Sequence, residues 1–152
     1  MRLDPYKHKE RYLNWKEKVK RDGKIIEVSD ENSKLLLRYI DDMELGLNVA
    51  SRNKKGARNP ITLNNLKQRM CFIANLVEKE LKISNLTSLT EEDIFRLFNN
   101  MKNGTIKRVD GTDYQSVGDY IRVFKAFWHW WIKSNKKKGI DSKNITNTIF
   151  KK

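Results

Sequence analysis

Residues 114–139 read YQSVGDYIRVFKAFWHWWIKSNKKKG and form the most apolar and aromatic stretch of the chain. At about 100° per residue, the large apolar side chains fall on one continuous arc, which predicts an amphipathic helix with a buried face. The arc consists of Val117, Tyr120, Ile121, Phe124, Phe127, Trp128, Trp131 and Ile132. Trp130 falls at its edge, where we expect it to cover the N-terminal segment or a partner. This helix is therefore predicted to supply much of the core.

The opposite side of the predicted helix carries a mostly cationic row of side chains. The row consists of Gln115, Gly118, Arg122, Lys125, His129, Lys133 and Lys136. Because the other side of the helix must be buried, this row must face solvent, and its charge favours an anionic partner. Trp128 and Trp131 are interpreted as core rather than as a base-stacking platform, which is the alternative for such a cluster.

Composition also favours an anionic partner. The 152 residues carry 32 Lys and Arg against 19 Asp and Glu, which gives a formal charge of +13 and a pI near 9.8. Nucleic acid is the leading partner for such a chain, while an anionic membrane surface or simple solubility are the alternatives. The length and the 38% hydrophobic content fit one domain with an added arm.

Cysteine and histidine are too few for a disulfide framework or a metal site. Cys71 is the only cysteine and the chain has two histidines, so no metal or other cofactor is predicted. The N-terminal residues lack an apolar signal region, and no stretch approaches the ~20 apolar residues that span a bilayer. We therefore expect a soluble, cytoplasmic chain without a membrane partner.

Capping residues predict a helical arm over residues 1–28. With Asp4 as its N-cap and Pro5 at its first position, a helix is expected over residues 5–21, and Gly23 ends it. The run IIEV at residues 25–28 is compatible with an extended segment.

A second helix is predicted from its N-cap Ser29 to Leu47, with Gly46 as its breaker. Residues 25–48 hold six acids against Lys34 and Arg38, so this helix should face away from a polyanion. The loop that follows, residues 51–60, is expected to be flexible and is strongly basic. Its cationic side chains are Arg52, Lys54, Lys55 and Arg58.

Pro60 and the expected cap Thr62 begin a third helix, whose apolar residues recur at spacings of three and four as far as Leu81. Phe72 lies off the main apolar face, which predicts a second contact. The polar side of this helix offers amide side chains, which pair well with adenine edges or phosphates. They are Asn64, Asn65 and Gln68.

Thr90 and the three acids after it predict the start of a fourth helix. The connection over residues 103–113 has two turn glycines and is expected to form a small hairpin or a mobile loop, with Lys107 and Arg108 near its tip. Thr112 or Asp113 is the expected cap of the fifth helix, and residues 140–152 are expected to form a linker or a disordered terminus. The second and fourth helices are net acidic and the third and fifth net basic, a separation that solubility alone does not require.

Four pieces of the sequence, in order, resemble the core-binding domain of tyrosine recombinases, the SAM-like N-terminal module of phage-type integrases. The first is Asn32, Leu35, Leu36, Tyr39 and Ile40, followed by Gly46-Leu47. The second is Pro60-Ile61-Thr62-Leu63 with Leu66, Met70 and Ile73, and the third is Leu89-Thr90-Glu91-Glu92-Asp93-Ile94. The last is SVGDYIRVFKAFWHWW, with Ser116, Tyr120, Phe124, Lys125 and Phe127 in the family's register.

The resemblance covers about residues 30–139 and implies an all-α fold: a four-helix core-binding bundle over residues 29–139 with an additional N-terminal helical arm over residues 1–28. Residues 140–152 would then be a linker toward an absent catalytic domain. In this family the second and fourth helices of the module cross the DNA, and they match the third and fifth helices here. Gly118 and Asp119 depart from the polar or basic residues that relatives often carry, so individual base contacts do not transfer.

The resemblance implies that this chain binds double-stranded DNA for integration and recombination, beside other recombinase protomers in the full-length protein. The piece itself is expected to be a monomer in a prokaryotic or viral setting, associated with the nucleoid. The predicted DNA contacts are Arg52, Lys54, Lys55, Arg58, Thr62, Asn64, Asn65, Gln68, Lys107, Arg108, Gln115, Ser116, Arg122, Lys125 and Lys133.

No catalytic residue is predicted, because the family's arginines, His-x-x-Arg motif and tyrosine nucleophile belong to a separate domain. His8 and Arg11 match the motif in spacing only, within the arm and without its context. Two other functions stay open: a helical module whose basic face binds an acidic protein, and a small nuclease or transferase built on paired carboxylates. A metal-dependent cleavage assay distinguishes the last of these.

Overall fold

The structure is a computed structural model that describes residues 7–47, 59–147 and 149. Within these residues the chain is all-helical, as predicted, and contains no strand. The helices are α1 (His8–Asp22), α2 (Asp30–Leu45), α3 (Pro60–Leu81), α4 (Glu91–Lys102) and α5 (Val117–Lys137), with a short 3-10 turn at Leu86–Ser88. No helix of this described part combines the length and apolar content needed to cross a bilayer.

The long helix α3 lies at the centre of the fold and packs against α1, α2 and α5, while α4 packs on α5. Most of the apolar arc of α5 is core: Ile121, Phe124 and Phe127 are completely buried. The arc residues Tyr120, Trp131 and Ile132 are only partly buried and pack against this core. Aromatic rings continue this core into α2, where Tyr39 meets Phe127 edge-on with ring centroids 5.2 Å apart. The basic side of α5 is therefore fixed by burial of its other side.

Trp130 is more deeply buried than its position at the edge of the arc predicts. Its side chain is 1% exposed and packs on Tyr39 of α2. The indole Nε1 donates a hydrogen bond of 2.7 Å to Asp42 Oδ2, and the Arg38 guanidinium lies 5.6 Å from the ring centroid. Burial is tolerated because the only polar atom of the indole has an acceptor.

The N-terminal arm packs on the bundle. Tyr12 and Val19 of α1 belong to the common core, and Lys16 of α1 pairs with Asp41 of α2. Gly23 ends α1 in the left-handed conformation, as predicted, whereas Asp4 and Pro5 lie outside the described residues.

The expected extended run at residues 25–28 is instead a turn. Val28 N–H donates to the Ile25 carbonyl at 3.2 Å, and Glu27 has a φ of 63°. Ile25 and Val28 are both buried in the core, because the turn brings these two side chains to the same side.

Helix starts follow the predictions where the cap is local and unambiguous. Ser29 caps α2, and Thr90 caps α4 within a capping box with Asp93. Thr62 is not the cap of α3: Asn59 Oδ1 accepts the Thr62 N–H at 2.9 Å, because Pro60 occupies the first helical position.

The predicted caps of α5, Thr112 and Asp113, are also wrong. Asp110 Oδ1 accepts both the N–H and the hydroxyl of Thr112, at 3.0 and 2.6 Å, and Asp113 pairs with Lys107 at 2.7 Å. These side chains are thus used inside the preceding loop, and α5 begins only at Val117. Its N-cap Ser116 has a φ of 57° and makes no side-chain capping hydrogen bond.

The tail packs on the fold as far as it is described, residues 140–147 and 149. Ile145 and Ile149 are buried, and Trp128 Nε1 donates to the Lys143 carbonyl at 2.8 Å. Asn135 Nδ2 donates to Ser142 Oγ at 2.8 Å. The boundary predicted after residue 139 therefore falls inside a packed segment and not between the bundle and a detached linker.

Candidate nucleic-acid interface

The exposed side of α5 carries a row of basic side chains that we call the α5 stripe: Arg122, Lys125, His129, Lys133 and Lys136. All are exposed except Lys125, which is half-buried. At 1.5 Å per residue the stripe extends for about 21 Å, which matches roughly six base pairs of duplex DNA. Loss of solvation lowers the pKa of the exposed His129 imidazole, and the neighbouring charge of Lys125 lowers it further.

A groove of about 670 Å³ opens beside the first turn of α5, and we call it the α5 groove. Its walls come from α3, from the loop before α5 and from α5 itself. It brings together three predicted contacts, Arg108, Gln115 and Ser116, all of which are exposed. Gln115 and Ser116 precede α5 and so lie at the groove, not on the helical row in which the sequence placed Gln115. The full lining is Arg69, Phe72, Arg108, Val109, Asp110, Tyr114, Gln115, Ser116, Asp119 and Tyr120.

Asp119 connects the α5 groove to the α5 stripe. One carboxylate oxygen lies 4.0 Å from Arg69 Nη2 of α3, and the other lies 3.4 Å from Arg122 Nη2. The three side chains are between 32% and 56% exposed, so these are solvated surface pairs. A carboxylate between two guanidinium groups occupies the position that a phosphate would take if it bound both.

Three aromatic rings form one wall of the α5 groove. Phe72 of α3 lies 4.9 Å from the Tyr120 ring and 5.7 Å from the Tyr114 ring, between centroids. This is the second contact that the position of Phe72 off the main face predicted. Burial raises the pKa of the Tyr114 hydroxyl, as does the neighbouring Tyr120, while the charge of Arg108 opposes these effects.

The predicted contacts on α3 separate into accessible and covered residues. Asn65 and Gln68 are exposed, and Thr62 is half-buried. Asn64 is 7% exposed and its Nδ2 donates to the His8 carbonyl at 2.8 Å, so its prediction as a DNA contact is wrong. The reason is that α1 covers this part of α3.

The predicted loop contacts also differ in their surroundings. Lys107 is exposed but forms an ion pair with Asp113, and Arg108 is exposed at the α5 groove. Arg52, Lys54, Lys55 and Arg58 lie outside the described residues.

Sequence reasoning did not select Arg69, Tyr114 or Tyr120 as site residues. Arg69 follows the selected Asn65 by four residues, a spacing that places both on one side of a helix. This spacing could have predicted that Arg69 belongs to the same surface as Asn65. For the tyrosines, only the contact between α3 and α5 reveals that they share a groove.

The remaining chemical groups do not form a reactive cluster in the described part of the chain. Burial raises the pKa of the Cys71 thiol to about 11, and nearby Lys67 lowers it only in part. His8 Nδ1 and Arg11 Nη2 lie 3.0 Å apart on α1. Residues 7–47, 59–147 and 149 contain no group of three or more His, Cys, Asp or Glu side chains that could hold a metal.

Comparison with protein-family models, with curated proteins and with solved structures gives no match to this chain. Functional inference therefore depends on the α5 stripe, the α5 groove and the sequence resemblance described above.

Proposed function

We propose that this chain binds double-stranded DNA as the core-binding domain of a tyrosine recombinase, with α2 to α5 as the four-helix bundle and α1 as the added arm. The observation that carries the proposal is the α5 stripe. Its Arg and Lys side chains share one side of a helix whose opposite side is largely buried, so they present a positive surface along α5. Phosphate contacts from such a surface supply most non-specific DNA affinity.

The distribution of charge among the helices supports the same orientation. Helix α2 carries five carboxylates against Lys34 and Arg38, and α4 carries three carboxylates against Arg96 and Lys102. Helix α5 carries only Asp119 against five Lys and Arg side chains. A polyanion is therefore attracted to α5 and repelled from α2 and α4.

Within the interface we assign different roles to charged and amide side chains. Arg122, Lys125 and Lys133 contact phosphates and position the domain, because guanidinium and ammonium groups at a helix surface suit this role. Asn65 and Gln68 on α3 and Gln115 at the α5 groove are the candidates for base-edge contacts, since amides pair with adenine. Strand cleavage would belong to a separate domain, and the full protein would act with other protomers on paired sites.

The test compares three proteins in a fluorescence-anisotropy titration with a blunt duplex at about 50 mM salt. A stripe variant replaces Arg122, Lys125 and Lys133 by alanine. A control variant replaces three exposed basic residues of α1, Lys18, Lys20 and Arg21, and so loses the same charge. Loss of about three phosphate contacts should weaken the stripe variant at least about thirtyfold, while the control stays within about threefold of the unmodified protein.

Two results would overturn the proposal. If the unmodified protein does not bind duplex DNA at low salt, the surface serves another partner, for which an acidic protein is the alternative. If both variants lose affinity equally, binding follows total charge and the α5 stripe has no special role.

A further inference from the structure

We infer that the α5 groove binds one unpaired nucleotide, with its base against Tyr114 and its phosphate beside Arg108 at the rim. The inference extends the proposed function, on which it rests, because the duplex held by the α5 stripe would supply the unpaired base. The α5 stripe can bind a duplex without an unpaired nucleotide, so the two sites can be tested separately.

The dimensions and lining of the groove fit a small aromatic ligand. Its volume of about 670 Å³ lies within the range of about 300–1,000 Å³ that is typical of ligand sites. Such sites combine an apolar or aromatic wall with a few polar groups that fix orientation. Here the wall is Phe72, Tyr114 and Tyr120, and the polar groups include Arg108 and Gln115.

The geometry of the rings points to Tyr114 as the stacking surface. Phe72 and Tyr120 lie 4.9 Å apart at only 36°, so they largely cover one another. Tyr114 meets Phe72 at 65°, which is an edge-on contact, so the faces of the tyrosine ring are not stacked on Phe72. Tyr114 is half-buried, which holds the ring in place while leaving part of it open to the groove.

A base within a duplex cannot stack on this aromatic wall. Both faces of a paired base are covered by its neighbours in the stack, whereas an unpaired or extruded base presents a free face. Arg108 is exposed at the rim and the loop turn fixes its backbone, since Arg108 N–H donates to the Thr112 carbonyl at 2.9 Å. The turn therefore fixes the backbone from which the Arg108 side chain reaches the rim of the groove beside the aromatic wall.

The carboxylates in the groove are already engaged. Asp110 accepts two hydrogen bonds from Thr112, which lower its pKa, and Asp119 lies between Arg69 and Arg122. Both carboxylates are thus held by protein donors and do not occupy the place of the phosphate beside Arg108.

The experiment measures anisotropy with three DNA ligands of one sequence: a blunt duplex, the duplex with a short single-stranded overhang, and the duplex with an abasic overhang. The abasic overhang carries the same phosphates without bases, so its comparison with the normal overhang isolates base binding. Stacking of a base on an aromatic side chain contributes about 1–3 kcal/mol, which is about 5- to 150-fold. We expect the normal overhang to bind at least about fivefold more tightly than the abasic one.

Three variants make the test specific. Tyr114→Leu should remove most of this preference and leave affinity for the blunt duplex within about twofold, whereas Tyr114→Phe should retain it. Phe95→Leu replaces an exposed aromatic side chain on α4 and should change neither value. A 2-aminopurine in the overhang should lose fluorescence on binding to the unmodified protein and not to Tyr114→Leu.

The outcomes separate the two proposals. Equal binding of normal and abasic overhangs overturns the nucleotide site, even where the blunt duplex binds through the α5 stripe. A preference that survives in Tyr114→Leu also overturns it. Binding of the overhang that depends on Tyr114, without any binding of the blunt duplex, supports the nucleotide site and overturns duplex binding.

Discussion

Replacing Asp119 by asparagine should increase affinity for DNA with little cost to stability. The carboxylate now lies 4.0 Å from Arg69 and 3.4 Å from Arg122, and both ion pairs are solvated. Surface pairs of this kind contribute about 0–1 kcal/mol, so the free energy of unfolding should fall by less than about 1 kcal/mol. The amide keeps the shape of the side chain and removes its charge.

The expected gain in affinity follows from Coulomb repulsion. A phosphate bound by Arg69 or Arg122 would lie about 6 Å from the Asp119 carboxylate, and with water-like screening the repulsion is about 0.7 kcal/mol. Its removal strengthens binding about threefold for one phosphate and about tenfold for two. The effect should shrink as salt increases, because both groups are exposed.

Glu92→Gln is the matched control for Asp119→Asn. Glu92 on α4 is 70% exposed and pairs with Arg96 at 2.5 Å, so its replacement changes the net charge equally, on a helix that we place away from DNA. Anisotropy titrations of both variants against one duplex at about 50 mM salt provide the comparison. An equal gain in both variants, or no gain in Asp119→Asn, would refute the assignment of Asp119 to the interface.

Three further predictions concern single side chains. Trp130→Phe should lower the free energy of unfolding in urea by about 1–3 kcal/mol, because the part-buried Asp42 Oδ2 loses its indole donor. An unchanged midpoint would contradict this packing. Because its pKa is near 11, the Cys71 thiol should react with a thiol reagent at about pH 8 roughly a hundredfold more slowly in the folded than in the unfolded chain. Equal rates would show that the thiolate is accessible in the folded chain. The pKa of His129 is lowered below 6.5, so affinity for DNA should increase as the pH falls below that value while the stability of the free protein decreases, since the unfolded chain takes up the proton more readily. His129→Gln should reduce the pH dependence of both DNA affinity and stability. If the variant and the unmodified protein show the same pH dependence, the role of this imidazole is refuted.

The sequence predicted helix starts correctly where the capping residue lies within a few residues of the N–H group that it binds. The caps Ser29 and Thr90 bond to backbone N–H groups only three residues later, so the sequence contains all the information that these caps require. Asn59 is equally local, and the error at Thr62 came from not placing Pro60 at the first helical position. These features depend on neighbours along the chain.

Packing between distant helices could not be predicted in the same way. Trp130 is buried because Asp42, 88 residues earlier, accepts its indole hydrogen bond, and periodicity within α5 does not contain that contact. Asn64 resembles an exposed amide in the pattern of α3, yet α1 covers it and bonds to it through His8. Each error concerns a residue whose surroundings are set by a second helix.

Part of the candidate site could likewise be predicted from one helix, and part of it depends on contacts between two helices. Arg122, Lys125 and Lys133 could be selected from α5 alone, because burial of one side of a helix determines the other. The α5 groove requires Phe72 and Arg69 of α3 to meet Tyr114 and Asp119, more than 40 residues later in the chain. That meeting depends on the packing of α3 against α5, which the sequence pattern does not specify.

The most direct test of the central claim is the salt dependence of duplex binding. With about five phosphates contacted, log K should fall with log salt concentration at a slope near −4.5 between about 50 and 200 mM. Replacing Arg122, Lys125 and Lys133 by alanine should reduce the slope to about −1.8, because about three of those contacts are lost. An unchanged slope in this variant, with unchanged affinity, would contradict the assignment of the α5 stripe as the DNA-binding surface.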